Sequence, residues 1–434
     1  MTELKEKENI FESADYKRSR GMYMAQCTVE YFVGILIADA FLAKLLTHIG
    51  ISDAIIGIIS SFITLAFLFQ LLAIFFVRRV TNTKKSVIIF HCLSQLFCIG
   101  LYIVPFLPFS TNVKTILIIL GIMLSYVANY LIASILYKWG NSFVEPTKRG
   151  QYSASKEMLS LLTGIVFTLI VGYIIDHFEA IGNIEGGFLF IAASLLILGI
   201  VNFITLMGIK NEPKKEKQEQ NIPLRVVAKN TLGNRNFLNI VVMMLLWDSA
   251  RYMLTGFLGT YKTKDLLLTV GAVQVINMVA NLFRFFASKP FGKYSDKHSF
   301  ASGIKLAFIL AAIAFGVNMF TTPKTWWLIV IFQILFNVSM AGSNQNLFNI
   351  TYSYVKAEHF VAASAIKNSI GGIFGFASTL VASKILDYVQ SNGNMLFGIP
   401  VYGQQVLSAI AFVLTVITVL FIHFVIEKQK VMVQ

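Results

Sequence analysis

An aspartate and an arginine stand three residues apart in LLWDSARYML (245–254), inside a run that is otherwise apolar from Phe237 to Leu258. On insertion scales each costs about 2.5–3.5 kcal/mol at the centre of a bilayer. Asp248 and Arg251 therefore either neutralise each other structurally or bind something. At about 100° per residue they project about 60° apart on a helix, on one face and within pairing reach. Glu30 and Asp39 raise the same question in an earlier apolar run. Nine residues apart on a continuous helix, they project to opposite faces, and Gln26 shares the face of Glu30. That pairing favours Glu30 as the group facing a polar cavity, with Asp39 against a neighbouring helix. Asp248 has a cation beside it to keep its charge, so Glu30 is the expected proton carrier.

Amides and phenols form a third set. Residues 333–349 hold Gln333, Asn337, Asn344, Gln345, Asn346 and Asn349. Asn337 and Asn344, seven apart, share a face with Ala341 between them. Asn129 and Tyr130, with Tyr126 and Tyr137, load a second apolar run in the same way. Such groups can donate to and accept from a polar solute, or simply bond neighbouring helices.

The elements that must position these residues are membrane helices. The chain has 434 residues, 56% hydrophobic and 13% charged, with a mean hydropathy of +0.70. Soluble domains average about 45–50% apolar and about 25% charged. Stretches of the roughly 20 apolar residues needed to cross a bilayer are expected at 22–47, 53–77, 86–108, 113–139, 150–176, 186–209, 236–261, 269–291, 302–321, 324–354, 360–388 and 401–426. The expected class is an all-α membrane protein of twelve transmembrane helices. A charged segment near the middle, GIKNEPKKEKQEQNIPLRVVAKNTLGNRN, leaves six spans on each side. The domains expected are a tail at 1–20, a six-helix bundle at 21–209, a central loop at 210–235, a second bundle at 236–427 and a tail at 428–434.

Lysine and arginine fix the orientation. They crowd the N-terminal tail, the loop with Arg78, Arg79, Lys84 and Lys85, the pair Lys148 and Arg149, the central loop, and the C-terminal tail. Both termini are therefore expected in the cytoplasm. The net charge of +14 is a topology signal, and no nucleic-acid partner is expected. Residues 1–20 are polar, so no cleavable signal peptide is expected. Cys27, Cys92 and Cys98 fall within apolar runs, and no metal-ligand spacing occurs. No P-loop, HExxH or GxSxG is present, so neither an enzyme nor a cofactor is expected. Trp326 and Trp327 read as interfacial anchors, and Arg284, Lys156 and Lys367 as snorkelling or loop-anchoring cations.

The two sets of six spans carry a trace of duplication. At one offset of 211, Ser153 meets Ser364, Lys156 meets Lys367 and Asp176 meets Asp387. This places span 5 on span 11.

Twelve spans, a basic central loop and a six-plus-six repeat make the chain similar to the major facilitator superfamily of secondary transporters. After span 8, Gly292–x–x–x–Asp296–Lys297 resembles that family's gating motif, in which glycine permits a tight turn and aspartate caps and pairs. Arg149–Gly150 resembles the Arg-Gly before its fifth helix. The loop after span 2, FFVRRVTNTKKS, keeps the basic residues but lacks glycine and aspartate. Subfamily signatures of drug antiporters, sugar porters and peptide transporters are missing. The resemblance implies two six-helix bundles working by alternating access, with helices 1, 4, 7 and 10 on the central cavity and 3, 6, 9 and 12 peripheral. It implies a secondary transporter, expected as a monomer, multi-pass in the plasma membrane of a bacterium. The charges Glu30, Asp248 and Arg251 disfavour a solitary anion and suit a small neutral, zwitterionic or cationic organic solute, with the proton gradient, through Glu30, as the expected energy source. The alternative is a transport-inactive membrane sensor or partner subunit on the same fold.

Overall fold

The computed structural model describes residues 10–66, 68–69, 82–145, 149–211, 233–355 and 360–429. Within these the protein is almost wholly helical. Ten helices are long and apolar enough to cross a membrane among the described residues. In chain order the main helices are α1 (Ala14–Leu36), α2 (Asp39–His48), α3 (Asp53–Ser60), α4 (Thr83–Ile103), α5 (Thr111–Asn141), α6 (Arg149–Ala180), α7 (Ile184–Gly208), α8 (Arg235–Leu254), α9 (Val270–Lys297), α10 (Phe300–Asn318), α11 (Trp327–Tyr352), α12 (Phe360–Ser391) and α13 (Gly403–Phe421). A two-strand ribbon, Met395–Leu396 with Ile399–Pro400, joins the last two.

Polar side chains begin several of these helices, because the first turn of a helix leaves N–H groups without partners. Asn82, Asn183, Asn234, Thr269 and Ser299 each accept a backbone N–H at the start of α4, α7, α8, α9 and α10. At the other end of α7, the Lys84 ammonium donates to Met207 O and Ile209 O at 2.6 and 2.7 Å, closing carbonyls the helix leaves open.

The first span is not one helix. Ala38 is extended, and Asp39 starts α2 at φ 45°, while Tyr102 of α4 donates its hydroxyl to Leu36 O at the end of α1. The opposite-face relation of Glu30 and Asp39 assumed a continuous helix, and the break removes it. The expected turn at Gly292 is also absent: α9 stays helical through Lys297 with Pro290 inside it.

The chain divides into two compact units, Met1–Gly50 with Leu72–Glu219, and Ile51–Leu71 with Gln220–Gln434. In the first, α1 packs on α6 and α7, and α4 on α5 and α7. Tyr23, Trp139, Phe143 and Leu206 are buried together there. In the second, α8 packs on α12 and α13, and α11 on α9 and α10. Trp247 stacks on Phe308 at 4.1 Å between ring centroids, beside Phe315, Phe332 and Phe336.

The expected 21–209 bundle therefore gives up its α3 segment to the second unit. The chemistry of that attachment is specific. Asp53, buried at the first turn of α3, accepts from Lys264 Nζ at 3.0 and 3.1 Å and from Gln390 Nε2 at 2.9 Å. Ser383 Oγ donates to Ala54 O at 3.1 Å. A Cβ on Gly57 would lie 1.9 Å from the Phe257 ring, so only glycine allows this approach.

Candidate functional site

Each unit holds one buried polar cluster. In the first it is built around Glu30 on α1. Asn129 Nδ2 of α5 donates to Oε1 at 2.7 Å. Gln95 Nε2 of α4 and Asn202 Nδ2 of α7 each donate to Oε2 at 3.2 Å. His91 Nε2, one turn before Gln95 on α4, lies 3.1 Å from the same oxygen. Gln26 Nε2 approaches His91 Nε2 at 3.5 Å. Four helices thus converge on one carboxylate, and Oε2 alone faces three N–H donors. A carboxylate offers about four lone-pair sites, and this arrangement suits its charged form. Among the described residues, His91 Nδ1, Gln95 Oε1 and Asn202 Oδ1 are buried without a hydrogen-bond partner.

In the second unit the cluster forms around Asp248 on α8. Arg251 Nη2 donates to Asp248 Oδ1 at 2.9 Å and to Tyr252 Oη at 2.7 Å, and its guanidinium carbon lies 4.4 Å from the Tyr252 ring centroid. The other carboxylate oxygen rests on Gly371 of α12, where a Cβ would meet Oδ2 at 2.3 Å. One turn earlier on α12, Lys367 is 3% exposed. Its ammonium donates to Leu347 O at 2.6 Å and Thr351 Oγ1 at 3.0 Å, within electrostatic reach of Asp248. Lys367 does not snorkel, contrary to expectation: two oxygens of α11 hold it inside. Two cations thus attend one carboxylate here.

The remaining expected residues scatter. Tyr130 packs edge-on against Tyr126 at 6.4 Å. Asn337 spends its amide on its own helix, donating to Gln333 O at 2.9 Å, and Asn346 does the same to Gly342 O. Asn344 is exposed and Asp39 half-buried. Lys297 is exposed and Gly292 half-buried on α9. The side chains of Gln345, Asp296, Arg149 and Gly150 lie outside the described residues, as do Arg78 and Arg79 of the loop after span 2.

His91, Gln95 and Asn202 went unnoticed in the sequence because they sit on spans 3 and 6, which the resemblance makes peripheral. That expectation is corrected: α4 and α7 supply three of the four groups around Glu30. The available signal was the i, i+4 spacing of His91 and Gln95 inside an apolar run, which puts both on one helix face. Among the described residues no cluster of three or more His, Cys, Asp or Glu side chains could hold a metal.

The comparisons with known proteins concern the whole chain. The family model described as Major Facilitator Superfamily matches residues 22–379. A mutant of the nucleoside transporter NupG has a similar structure, with a TM-score of 0.74 at 12% identity over 93% of this chain and 99% of that one. A bacterial homolog of the human lysosomal transporter Spinster gives 0.68 at 12% identity, over 95% and 96%. An auto-inhibited peptide transporter of the POT family gives 0.67 at 10% identity, over 94% and 97%. At such identities the likeness is one of fold. The search of curated proteins found no match.

Proposed function

We propose, from the premise that the chain belongs to the major facilitator superfamily, that it is a secondary active transporter of a small organic solute. Twelve spans with both termini in the cytoplasm form two bundles that expose a site alternately to each side of the plasma membrane, in a monomer powered by the proton gradient. Glu30 is the coupling carboxylate. Asp248 and Arg251 form the solute-responsive pair, parting as solute arrives and rejoining as it leaves. Asn129 and Tyr130 on one side, and Asn337, Asn344 and Gln345 on the other, are proposed to contact the solute. Asp39 is proposed to serve a neighbouring contact, and Gly292, Asp296, Lys297, Arg149 and Gly150 the gate.

The observation that carries this reading is the convergence of Asn129, Gln95, Asn202 and His91 on Glu30. Replacing a buried ion pair by apolar side chains is often neutral or stabilising, so a carboxylate held by four donors in an apolar bundle serves a task other than folding. The solute is expected to be neutral, zwitterionic or cationic. Nucleosides and peptides, which the similar structures are named as transporting, are the first probes to use.

The test is uptake of these probes into proteoliposomes. Wild-type protein concentrates one of them under an inward-acid pH gradient, and Glu30→Gln removes that concentration while leaving exchange of solute across the membrane. Gradient-driven uptake unchanged in Glu30→Gln would end the assignment of Glu30.

A further inference from the structure

The Glu30 cluster raises a question that its carboxylate alone does not answer: where a bound proton resides. We infer that it resides on the imidazole of His91, with Glu30 remaining a carboxylate as its counter-charge. The inference rests on the reading of Glu30 as the coupling group and makes it more specific.

Two bare acceptors do not face each other at 3.1 Å, so a hydrogen lies between His91 Nε2 and Glu30 Oε2. The amide N–H groups already on Oε2 favour its place on the nitrogen, and the Gln26 amide at 3.5 Å is at the limit of a bond to that nitrogen. Oε2 then accepts from three N–H groups and Oε1 from Asn129. A hydroxyl on Oε1 would aim a donor at the Asn129 amide, and a hydroxyl on Oε2, even if it donated to a bare His91 Nε2, would make the shared acceptor of Gln95 and Asn202 a weaker one. The imidazole has the opposite vacancy. His91 Nδ1 is buried and has no partner among the described residues, and it can take a hydrogen without displacing anything. Two acceptors without partners, Gln95 Oε1 and Asn202 Oδ1, belong to the same cluster. Uptake balances: one N–H bond forms at Nδ1 as an O–H bond of hydronium breaks and releases water, and the pair passes from a charge of minus one to zero.

Exposure separates the proton's entry from its resting place. Glu30 keeps 26% of its side chain exposed and His91 only 1%. The carboxylate is thus the more accessible member of the pair and the ring the occluded one. The other groups facing the pair leave this charge balance intact. On α1, Cys27 Sγ reaches Gln26 Oε1 at 3.5 Å. On α4, Cys98 Sγ is engaged with Ser125 Oγ at 3.1 Å. Helices α5 and α7 present the neutral amides Asn129 and Asn202. On α6, Lys156 lies over the Tyr23 ring at 4.8 Å and also bears on Cys27, one turn of α1 before Glu30, so among the described residues it is the nearest cation to the pair outside it.

The test uses the full chain in lipid nanodiscs with isotope-labelled histidine. Imidazole protonation is followed by nitrogen NMR and carboxyl protonation by infrared difference spectroscopy, across a pH titration and with or without sodium. His91→Gln assigns the ring signal, or His91→Asn if the first does not fold, and Glu30→Gln assigns the carboxyl band. The expected result is an imidazolium signal that His91→Gln removes, with no carboxylic-acid band from Glu30. Glu30→Gln also loses that imidazolium signal at the pH where wild type shows it, because its counter-charge is gone. A carboxylic-acid band that Glu30→Gln removes, with His91 neutral throughout, overturns the inference and leaves coupling through Glu30 standing. A cluster that responds to sodium and not to pH, or to neither, overturns both.

Discussion

The two buried clusters solve the cost of a carboxylate in opposite ways. Glu30 is surrounded by neutral amides and one imidazole, a group whose charge can come and go near neutral pH. Asp248 is attended by Arg251 and Lys367, cations held inside by Tyr252, Leu347 and Thr351. The first arrangement suits the uptake and release of a proton. The second keeps a charge pattern that a zwitterionic solute can complete, its acidic end toward the surplus cation. Under the proposed function, the contrast assigns proton coupling to the first cluster and response to solute to the second.

The largest effect that bears on this contrast is on stability. Asp248→Ala strands two buried cations, which costs about 3–5 kcal/mol. Glu30→Ala leaves neutral donors without an acceptor and a ring that can shed its charge, at about 1–3 kcal/mol. Thermal unfolding in detergent should therefore show the deeper fall for Asp248→Ala. A larger loss in Glu30→Ala would break the comparison, since it would make the first cluster the more rigidly charged of the two.

Gly371→Ala sharpens the second half of the comparison. Its Cβ would press on Asp248 Oδ2 at 2.3 Å and on Met244 Cγ at 3.2 Å, with an overpacking cost of about 1–3 kcal/mol. If the carboxylate is what the methyl displaces, the substitution costs much less when made on top of Asp248→Ala. Equal costs in both backgrounds would show that the glycine serves helix packing alone.

The smallest effect compares two amides. Asn129→Ala removes the 2.7 Å donor to Glu30 and should cost about 0.5–1.5 kcal/mol. Asn337→Ala removes an amide bonded to its own helix and should change the unfolding midpoint by under about 0.5 kcal/mol. A greater loss for Asn337 would mean that its side chain also holds a neighbouring helix, beyond its bond to Gln333 O.

These residues also mark what the sequence made legible. Asp248 and Arg251 stood out because charge is rare in an apolar run, and three residues on a helix fix their mutual direction. Glu30 stood out for the same first reason. What gathers around it comes from three other helices, and the spacing within one helix carries no information about which of its neighbours it meets. The amide-rich run of span 10 misled for a related reason: an asparagine can bond its own preceding turn, as Asn337 and Asn346 do, without marking a site. Asp39 misled because Ala38 adopts an extended backbone, and the one glycine nearby, Gly34, lies within the last turn of α1 and not at the break. Lys156 and Lys367 occupy matching places in the repeat. One lies over an aromatic ring and the other is sealed among oxygens, so matching positions at the offset of 211 do not have matching surroundings.

The attachment of α3 to the second unit has a consequence in time. Asp53 is made 211 residues before Lys264 and 337 before Gln390. At synthesis rates of about 5–20 residues per second, roughly 10–40 s pass before its first partner emerges, and longer before the second. For that interval the segment is a finished piece waiting for an unfinished one, its carboxylate unmatched and its Gly57 face uncovered. The bonds of α3 to Lys264 and Gln390 can therefore close only once the last helices of the chain are made, however early α3 itself is synthesised.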